Sequence, residues 1–360
     1  MPDRATPRAA ASGLMSRRRF VGRSAAMMAG LAGGGTLLTA CAGTDSSSSS
    51  SSSSGKATFL TILPLENLTF TPELVASADG HFKDQGLEVS FEATQGSAPA
   101  IQTVLAGGAF LTRIDAMECM IANATKDTPL RCIGTVIRES SIRFVSTSED
   151  PIEKPEDFVG KTIGIPSEGG SSEWTLDLVL RSAGIDPKRV PRQVVGLTPG
   201  TYNLVKSGRI GAYTVGLDTS LLVKELQPEA VVFDPGTVLD AGGQVYVTTQ
   251  QGLDENRDVL KRYMTAIRAA MDSVLDDTAG TKTIKSIKSK YAVEALKDTS
   301  VAKDSLTQYA DMWTAGGADD LLATRAEQWQ AGYDQLASAG MVKESVDPSS
   351  WFTNQVVPKA

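Results

Sequence analysis

Apolar and polar residues alternate along most of the chain in a pattern that predicts strands separated by helices. Residues 57–63 and 87–93 alternate with a period of two, which is typical of half-buried strands. Residues 173–182 instead place their apolar side chains at helical spacing. Further strands are predicted at 110–114, 130–137, 162–165, 193–195, 210–215, 230–233 and 245–249. Further helices are predicted at 72–78, 98–105, 116–124, 201–206 and 220–226. Strands that alternate with helices across short loops indicate an α/β fold with parallel sheets.

The pattern changes after Asp254, where helical spacing continues without strands. Val259, Tyr263, Ile267 and Val274 fall on one face of a long predicted helix. Shorter helices are predicted near 285–296, 303–313 and 319–338. We expect the aromatic residues of this helical tail to lie in the core rather than to line a binding site.

The first forty-one residues have the order of an export signal. Residues 16–20 read Ser-Arg-Arg-Arg-Phe, a twin-arginine motif, and residues 38–41 read Leu-Thr-Ala-Cys, a lipobox. The uncharged stretch 24–40 is shorter than the roughly 20 apolar residues that span a bilayer. We therefore predict that residues 1–40 are removed and that Cys41 carries lipid, which anchors the protein outside the cytoplasm. A single membrane anchor is the alternative, and export by the twin-arginine or the general route stays open.

A serine run and an acidic surface follow the lipobox. Ser46 to Ser54 are consecutive serines, so residues 41–56 are predicted to be a lipidated, flexible tether. Residues 1–40 hold six Arg and one Asp, which leaves 29 basic and 41 acidic residues of the chain's 35 and 42. This excess of acid argues against nucleic acid as a partner and against electrostatic binding to anionic lipids. The remaining length favours two domains.

Cysteine and histidine usage limits the available chemistry. Cys119 and Cys132 could form a disulfide in an oxidising compartment or remain two buried thiols, and their spacing does not decide. His81 is the only histidine, and its place between a helix and a strand indicates a surface turn. A catalytic triad or a zinc site would both need it. We therefore expect no catalytic residues, no metal and no cofactor.

Five stretches in order resemble the periplasmic substrate-binding proteins of nitrate, sulfonate, taurine and thiamine-pyrimidine ABC importers. They are residues 80–89, 95–97, 160–167, 182–187 and 204–210. The chain departs from the family pattern at 107–110, where members commonly have Gly, a polar residue and Asp; here the acid comes later, at Asp115. The resemblance covers most of the chain after the signal.

The resemblance implies a two-lobed periplasmic-binding-protein fold with mixed sheets, flanking helices and a helical C-terminal tail. Lobe one would comprise residues 57–143 and 246–360, and lobe two residues 146–240. Two crossing strands near 143–145 and 244–246 would form the hinge. Such a protein closes on its ligand, and an importer's permease and ATPase then receive the closed form. We expect it to act as a monomer.

Loops at the carboxyl ends of strands are expected to hold the ligand. The strongest candidate is the glycine-rich start of a helix, because free N–H groups and serine hydroxyls there suit an anion. Its residues are Ser167, Gly169, Gly170, Ser171 and Ser172. Gln95, Gly96 and Ser97 offer the same chemistry from the other lobe. Ordinary helix capping by Ser171 or Ser97 is the alternative for both loops.

Other polar residues favour a different ligand. Trp174 could stack on a flat ring or pack in the core. Glu66, Asn67 and Asp218 could bind an amine or a pyrimidine amino group, and Asp115 lies in a comparable loop. No arginine is placed in the cleft by these patterns.

We therefore expect a binding protein, not an enzyme. A sulfonate or taurine-like ligand is favoured narrowly over a thiamine-type pyrimidine or another aromatic heterocycle. A pyrimidine-synthesising enzyme on the same fold and a scaffolding lipoprotein are the rival classes.

Overall fold

The computed structural model describes residues 55–62, 64–239 and 242–359. Within these ranges the strands follow the alternating segments of the sequence. They are β1 (Lys56–Thr61), β2 (Glu88–Ala93), β3 (Leu111–Asp115), β4 (Leu130–Ile137), β5 (Ile142–Thr147), β6 (Ile163–Ile165), β7 (Arg192–Val194), β8 (Ala212–Gly216), β9 (Ala230–Phe233) and β10 (Gln244–Thr249). The predicted strands are confirmed with boundary shifts of up to two residues, and β5 covers a segment expected to be a crossing.

The strands of the described chain form two five-stranded mixed sheets. The first has the order β2-β1-β3-β10-β4 and the second β7-β6-β8-β5-β9. In each sheet the strands joined by helices run parallel, whereas β10 and β5 are antiparallel to both of their neighbours. The mixed sheets implied by the family resemblance are confirmed, and the parallel arrangement indicated by the strand–helix alternation does not extend to these two strands. The chain reaches β5 directly from the first sheet and β10 directly from the second sheet. No helical crossover within one sheet therefore makes these strands parallel to their neighbours.

The chain therefore passes between the sheets twice. The first passage lies between Ile137 and Ile142, and the second between Phe233 and Gln244. The first passage leads into β5, which contains residues 143–145. The second leads into β10, which contains residues 244–246. We call the part built on the first sheet lobe one and the part built on the second sheet lobe two.

Helices cover both sheets. They are α1 (Thr71–Ala78), α2 (His81–Asp84), α3 (Ser97–Leu105), α4 (Ala116–Lys126), α5 (Ser171–Ser182), α6 (Tyr202–Lys206), α7 (Leu217–Leu226), α8 (Gln250–Asp276), α9 (Thr281–Lys290), α10 (Thr299–Thr314) and α11 (Ala326–Ser338). His81 begins the short helix α2 instead of lying in a turn. The helix predicted at 319–338 begins only at Ala326, because Leu322 has φ +68°, which no right-handed helix allows, and its carbonyl accepts from the Thr135 N–H of β4.

The helical tail completes the core of lobe one. Tyr263 of α8 lies under the first sheet, with its ring centroid 5.8 Å from that of Phe59. Trp313, Trp329 and Tyr333 are buried as well. The expectation that the aromatic residues of the tail are core residues is confirmed.

The remaining sequence features are the N-terminal signal with its serine run, the two cysteines and the question of a membrane-spanning helix. The export signal, the lipobox with Cys41 and the serine run lie outside the described residues. Cys119 and Cys132 are free, buried thiols. A search of the described helices finds none long and apolar enough to cross a membrane.

Candidate functional site

A cavity of about 490 Å³ lies between the lobes, at the carboxyl ends of strands from both sheets. Lobe one contributes the loop after β1, with Glu66 and Asn67, and the loop after β2, with Gln95 and Gly96. Lobe two contributes residues 195–199 after β7 and the start of α7 after β8. We call this space the main cavity.

A second, smaller cavity of about 50 Å³ adjoins the main one, toward the passages between the lobes. The two share five lining residues, which are Ile62, Gly96, Pro166, Leu197 and Gly216. The other residues that line the smaller cavity are mostly polar: Thr69, Ser97, Asp115, Ser141, Ile142, Ser171, Ser172, Val215 and Gln244. We call this space the inner chamber.

Hydrogen bonds join the lobes on one side of the main cavity. The Asn67 amide donates to the Thr219 hydroxyl at 3.3 Å, and the Leu68 N–H donates to Asp218 Oδ2 at 3.0 Å. Asp218 Oδ1 also accepts from the Tyr309 hydroxyl at 3.1 Å. Burial raises the pKa of the Asp218 carboxyl. Asp218 therefore holds the lobes together from a water-excluded position as well as lining the cavity.

A second set of bonds joins the lobes at the inner chamber. The Ser171 N–H at the start of α5 donates to the Ser97 hydroxyl at 2.9 Å. The Ser171 hydroxyl donates to Glu118 Oε2 at 2.5 Å. Neither serine caps its own helix. The N-cap positions are held by Gly96 and Gly170, which have no side chain to bond the first N–H groups of the helix. The capping alternative was wrong for both, and the lobes use these helix starts to contact each other.

The two glycine-rich loops also touch directly. Gly96 has φ +87° and ψ 177°, a conformation that favours glycine. A Cβ on Gly96 would overlap the Ser167 hydroxyl and lie 3.0 Å from its Cβ. A Cβ on Gly170 would lie 3.0 Å from the Ser97 hydroxyl of lobe one. The absence of side chains at these positions allows the lobes to approach this closely.

Two buried carboxyl groups lie beside this contact. Asp115 is 4% exposed and accepts from the Met117 N–H at 2.9 Å, which caps α4. Glu118 is 2% exposed, and its Oε1 has no partner in the described structure. Burial raises the pKa of each carboxyl to about 7. Both groups therefore change charge close to neutral pH.

The structure separates the predicted site residues into three groups. Those lining the main cavity are Glu66, Asn67, Gln95, Gly96 and Asp218. Those lining the inner chamber are Gly96, Ser97, Asp115, Ser171 and Ser172. Those lining neither are Ser167, Gly169, Gly170 and Trp174. The Trp174 indole N–H donates to the Gly169 carbonyl at 2.9 Å, and its ring packs half-buried against the core.

Sequence reasoning missed part of the lining. Residues 195–199 follow strand β7 and could have been found by the same rule of strand ends. Glu294 and Ala295 belong to a one-turn 3₁₀ helix (Glu294–Lys297) in the helical tail. No local motif marks them, because they reach the cavity only when the tail folds back between the lobes.

The charge of the lining limits the ligand. Among the described residues, three carboxylates line the main cavity, those of Glu66, Asp218 and Glu294, and no Lys or Arg does. The remaining lining is largely aliphatic, with Ile62, Leu222 and several prolines and glycines. Such a cavity suits an uncharged molecule with apolar faces and polar edges. An anion would meet carboxylates and no lining Lys or Arg in the described structure.

Comparisons with known proteins agree with this architecture. The sequence model of the family described as NMT1/THI5 like matches residues 67–279. The riboflavin-binding protein RibY of Chloroflexus aurantiacus is 24% identical over 306 residues, which are 82% of this chain and 84% of RibY. The formylaminopyrimidine-binding protein of Halalkalibacterium halodurans is 28% identical over 146 residues, 41% of this chain and 43% of that protein.

Solved structures confirm the fold. A protein from Bordetella bronchiseptica RB50 superposes with a TM-score of 0.70 at 20% identity, covering 84% of this chain and 95% of that one. The alkanesulfonate-binding protein SsuA of Xanthomonas axonopodis pv. citri, solved with MOPS, gives 0.64 at 13% identity, covering 83% and 98%. The two-lobed periplasmic-binding-protein fold expected from the sequence is therefore confirmed.

Proposed function

This chain belongs to the NMT1/THI5-like family, and from that premise we propose that it is the solute-binding protein of an ABC importer with a flavin-like ligand. The ligand would be an uncharged, flat, multi-ring heterocycle held between the lobes. The observation that carries the choice of ligand is the absence of Lys and Arg from the described lining of the main cavity, where three carboxylates are present.

The size and polarity of the main cavity support a ring system. Its volume of about 490 Å³ lies within the range of small-molecule sites. Ile62, Leu197 and Leu222 offer apolar surface to the faces of a ring. Carboxylates and backbone groups at the edges accept from ring N–H groups, which flavins and aminopyrimidines both carry. A single-ring pyrimidine is the second candidate, and it would leave more of the cavity unfilled.

A sulfonate or taurine, favoured narrowly from the sequence, fits this cavity less well. A buried sulfonate needs cationic or N–H partners. The two helix starts that could supply N–H groups contact each other, and the Ser171 N–H is bonded to Ser97. Glu294, one of the three lining carboxylates, is paired with Lys297 at 2.7 Å, so this cation already has a counter-charge.

The closed arrangement supports transport rather than catalysis. Ligand that fills the space between the lobes adds contacts to the Asn67–Thr219 and Leu68–Asp218 bonds and so favours the closed form. The permease and ATPase would receive that form, while a lipid on Cys41 would hold the protein at the outer face of the membrane. A pyrimidine-synthesising enzyme on this fold is expected to use a histidine. His81 lies on α2 and lines neither cavity, which disfavours that alternative.

Flavin fluorescence tests the proposal directly. We expect the purified protein to quench riboflavin on binding, with a saturable curve, and to show no thermal stabilisation by taurine, alkanesulfonates or nitrate. The Glu66→Lys variant places a cation at the rim and should gain affinity for sulfonates, whereas Glu168→Gln, an exposed change outside both cavities, should alter neither. Tight sulfonate binding by the unchanged protein would overturn the flavin assignment.

A further inference from the structure

The inner chamber differs in chemistry from the main cavity that it adjoins. The main cavity is largely aliphatic, whereas hydroxyl, amide and carboxyl groups dominate the chamber. No Lys or Arg lines the chamber within the described residues. A ligand that occupies both spaces must therefore have an apolar body and a polar, uncharged end.

Hydrogen-bond accounting shows which groups of the chamber are free for a ligand. Gln244 accepts from the Thr69 hydroxyl at 3.4 Å, and its amide donates to the Ser141 hydroxyl at 3.1 Å. In the described structure the Ser141 hydroxyl donates to no protein acceptor, and the Ser172 hydroxyl, 8% exposed, has no side-chain partner. Asp115 retains lone pairs beyond those used by Met117. The chamber thus offers both donors and acceptors.

Hydroxyl groups match such a mixed surface, because each donates one bond and accepts others. The chamber volume of about 50 Å³ is enough for a terminal hydroxymethyl group, since roughly 10–15 Å³ measured in this way already holds one water molecule. A phosphate in the same place would bring a charge of about −1.5 to −2 next to Asp115 without a cation. The lining therefore favours a hydroxylated chain over its phosphate ester.

We propose, on the basis of the flavin-binding function above, that the inner chamber holds the end of a polyhydroxyl chain attached to the ring system in the main cavity. Its groups then select the free flavin alcohol against flavins that lack the chain or carry a phosphate on it. Ser141 and Ser172 are the residues that form hydrogen bonds with the polyhydroxyl chain of the ligand.

Three flavins with the same ring system separate this inference from the proposed function. Riboflavin carries the hydroxylated chain, lumiflavin has a methyl group in its place, and flavin mononucleotide has a phosphate at the chain end. We expect lumiflavin to bind about tenfold to a hundredfold more weakly than riboflavin, the loss of one to three hydrogen bonds. Flavin mononucleotide should bind more weakly than both.

Serine variants locate the effect. Ser172→Ala and Ser141→Ala should each weaken riboflavin about threefold to tenfold and leave lumiflavin unchanged. Ser148→Ala is the matched control, because Ser148 is exposed and lines neither cavity. Equal losses for both ligands would assign a packing role to these serines and overturn the inference.

The outcomes for the two proposals are distinct. Lumiflavin binding as tightly as riboflavin, or flavin mononucleotide binding more tightly, would overturn the role of the chamber and leave flavin recognition in place. Absence of binding by all three flavins would overturn both proposals. Isothermal titration calorimetry on the purified full chain measures each affinity.

Discussion

Glu73 and Glu118 are two glutamates that lobe one buries almost completely, and their surroundings are opposite. Glu73 forms an ion pair with Arg113, whose Nη1 donates to both carboxylate oxygens at 3.0 Å, and it accepts from the Tyr246 hydroxyl at 2.7 Å. Within the described residues Glu118 forms no ion pair; its Oε2 accepts from one serine of the other lobe, and its Oε1 has no partner. The first carboxylate lies inside one lobe, and the second lies where the lobes meet.

The difference shows which contacts are permanent and which depend on closure. All partners of Glu73 belong to lobe one, so opening of the lobes leaves the ion pair intact. The Ser171 bond of Glu118 breaks when the lobes separate, and water then reaches the carboxylate. When Glu118 is charged, its incomplete pairing makes the closed form less stable relative to the open form. The free energy of ligand binding must offset that difference.

The largest expected effect comes from breaking the permanent pair. Arg113→Met removes the cation and leaves Glu73 charged and buried, so we expect unfolding free energy to fall by about 3 to 5 kcal/mol. Urea denaturation followed by circular dichroism measures it. The double variant Arg113→Met with Glu73→Gln should recover most of the loss, and a failure to recover would show that Arg113 acts through packing on Phe70 rather than through charge.

A smaller effect is expected from blocking the contact between the glycine-rich loops. Gly96→Ala places a methyl group on the Ser167 hydroxyl and strains a backbone conformation that favours glycine, at a cost of about 1 to 3 kcal/mol in the closed form. Small-angle scattering should show a larger radius of gyration than for the unchanged protein. Adding Ser167→Gly should restore part of the closure; an unchanged radius in the single variant would contradict a direct loop contact.

The smallest effect concerns pH at the lobe boundary. Because burial raises the pKa of Asp115 and Glu118 to about 7, the folded protein keeps these protons to higher pH than the unfolded chain does. Their stabilising contribution is complete below the ordinary carboxyl pKa and is lost as pH rises through about 7. The unfolding free energy should therefore fall as pH rises from about 4 to about 7 and level off above that range.

The variant Glu118→Gln should flatten this dependence, since the amide keeps an acceptor for Ser171 and carries no charge. Glu168→Gln, at an exposed position, is the matched control and should leave the slope unchanged. Thermal unfolding at several pH values gives the comparison. Identical slopes for Glu118→Gln and the unchanged protein would assign the dependence to Asp115 and Asp218 instead.

The alternation of apolar and polar residues was sufficient to predict most strands and helices, because period-two and helical patterns reflect burial on one face of an element. It failed at β5, a strand buried in the middle of the second sheet, and at the direction of β5 and β10. A buried strand has no alternating polar face, and strand direction depends on how the chain returns to the sheet. The rule of strand ends led to Glu66, Gln95 and Asp218, which do line the main cavity.

The chemistry expected of the helix starts was not the chemistry found. A serine after glycines at a helix start can bind an anion, cap its helix or bond across an interface, and these residues alone do not distinguish the three. Only the approach of Ser97 to Ser171 decides, and that depends on the placement of two lobes whose contacting residues are 74 positions apart. The same is true of Glu294, which reaches the cavity from the helical tail.

The sequence by itself determined the α/β class, the family, the two alternating halves and the aromatic core of the tail, because each follows from local periodicity or from short ordered motifs. Tertiary structure alone decided the charge of the cavity, the bonding of the serines and the separation of an aliphatic main cavity from a polar inner chamber. Those properties arise from residues distant along the chain, and their energies depend on burial and pairing that exist only once the lobes have come together.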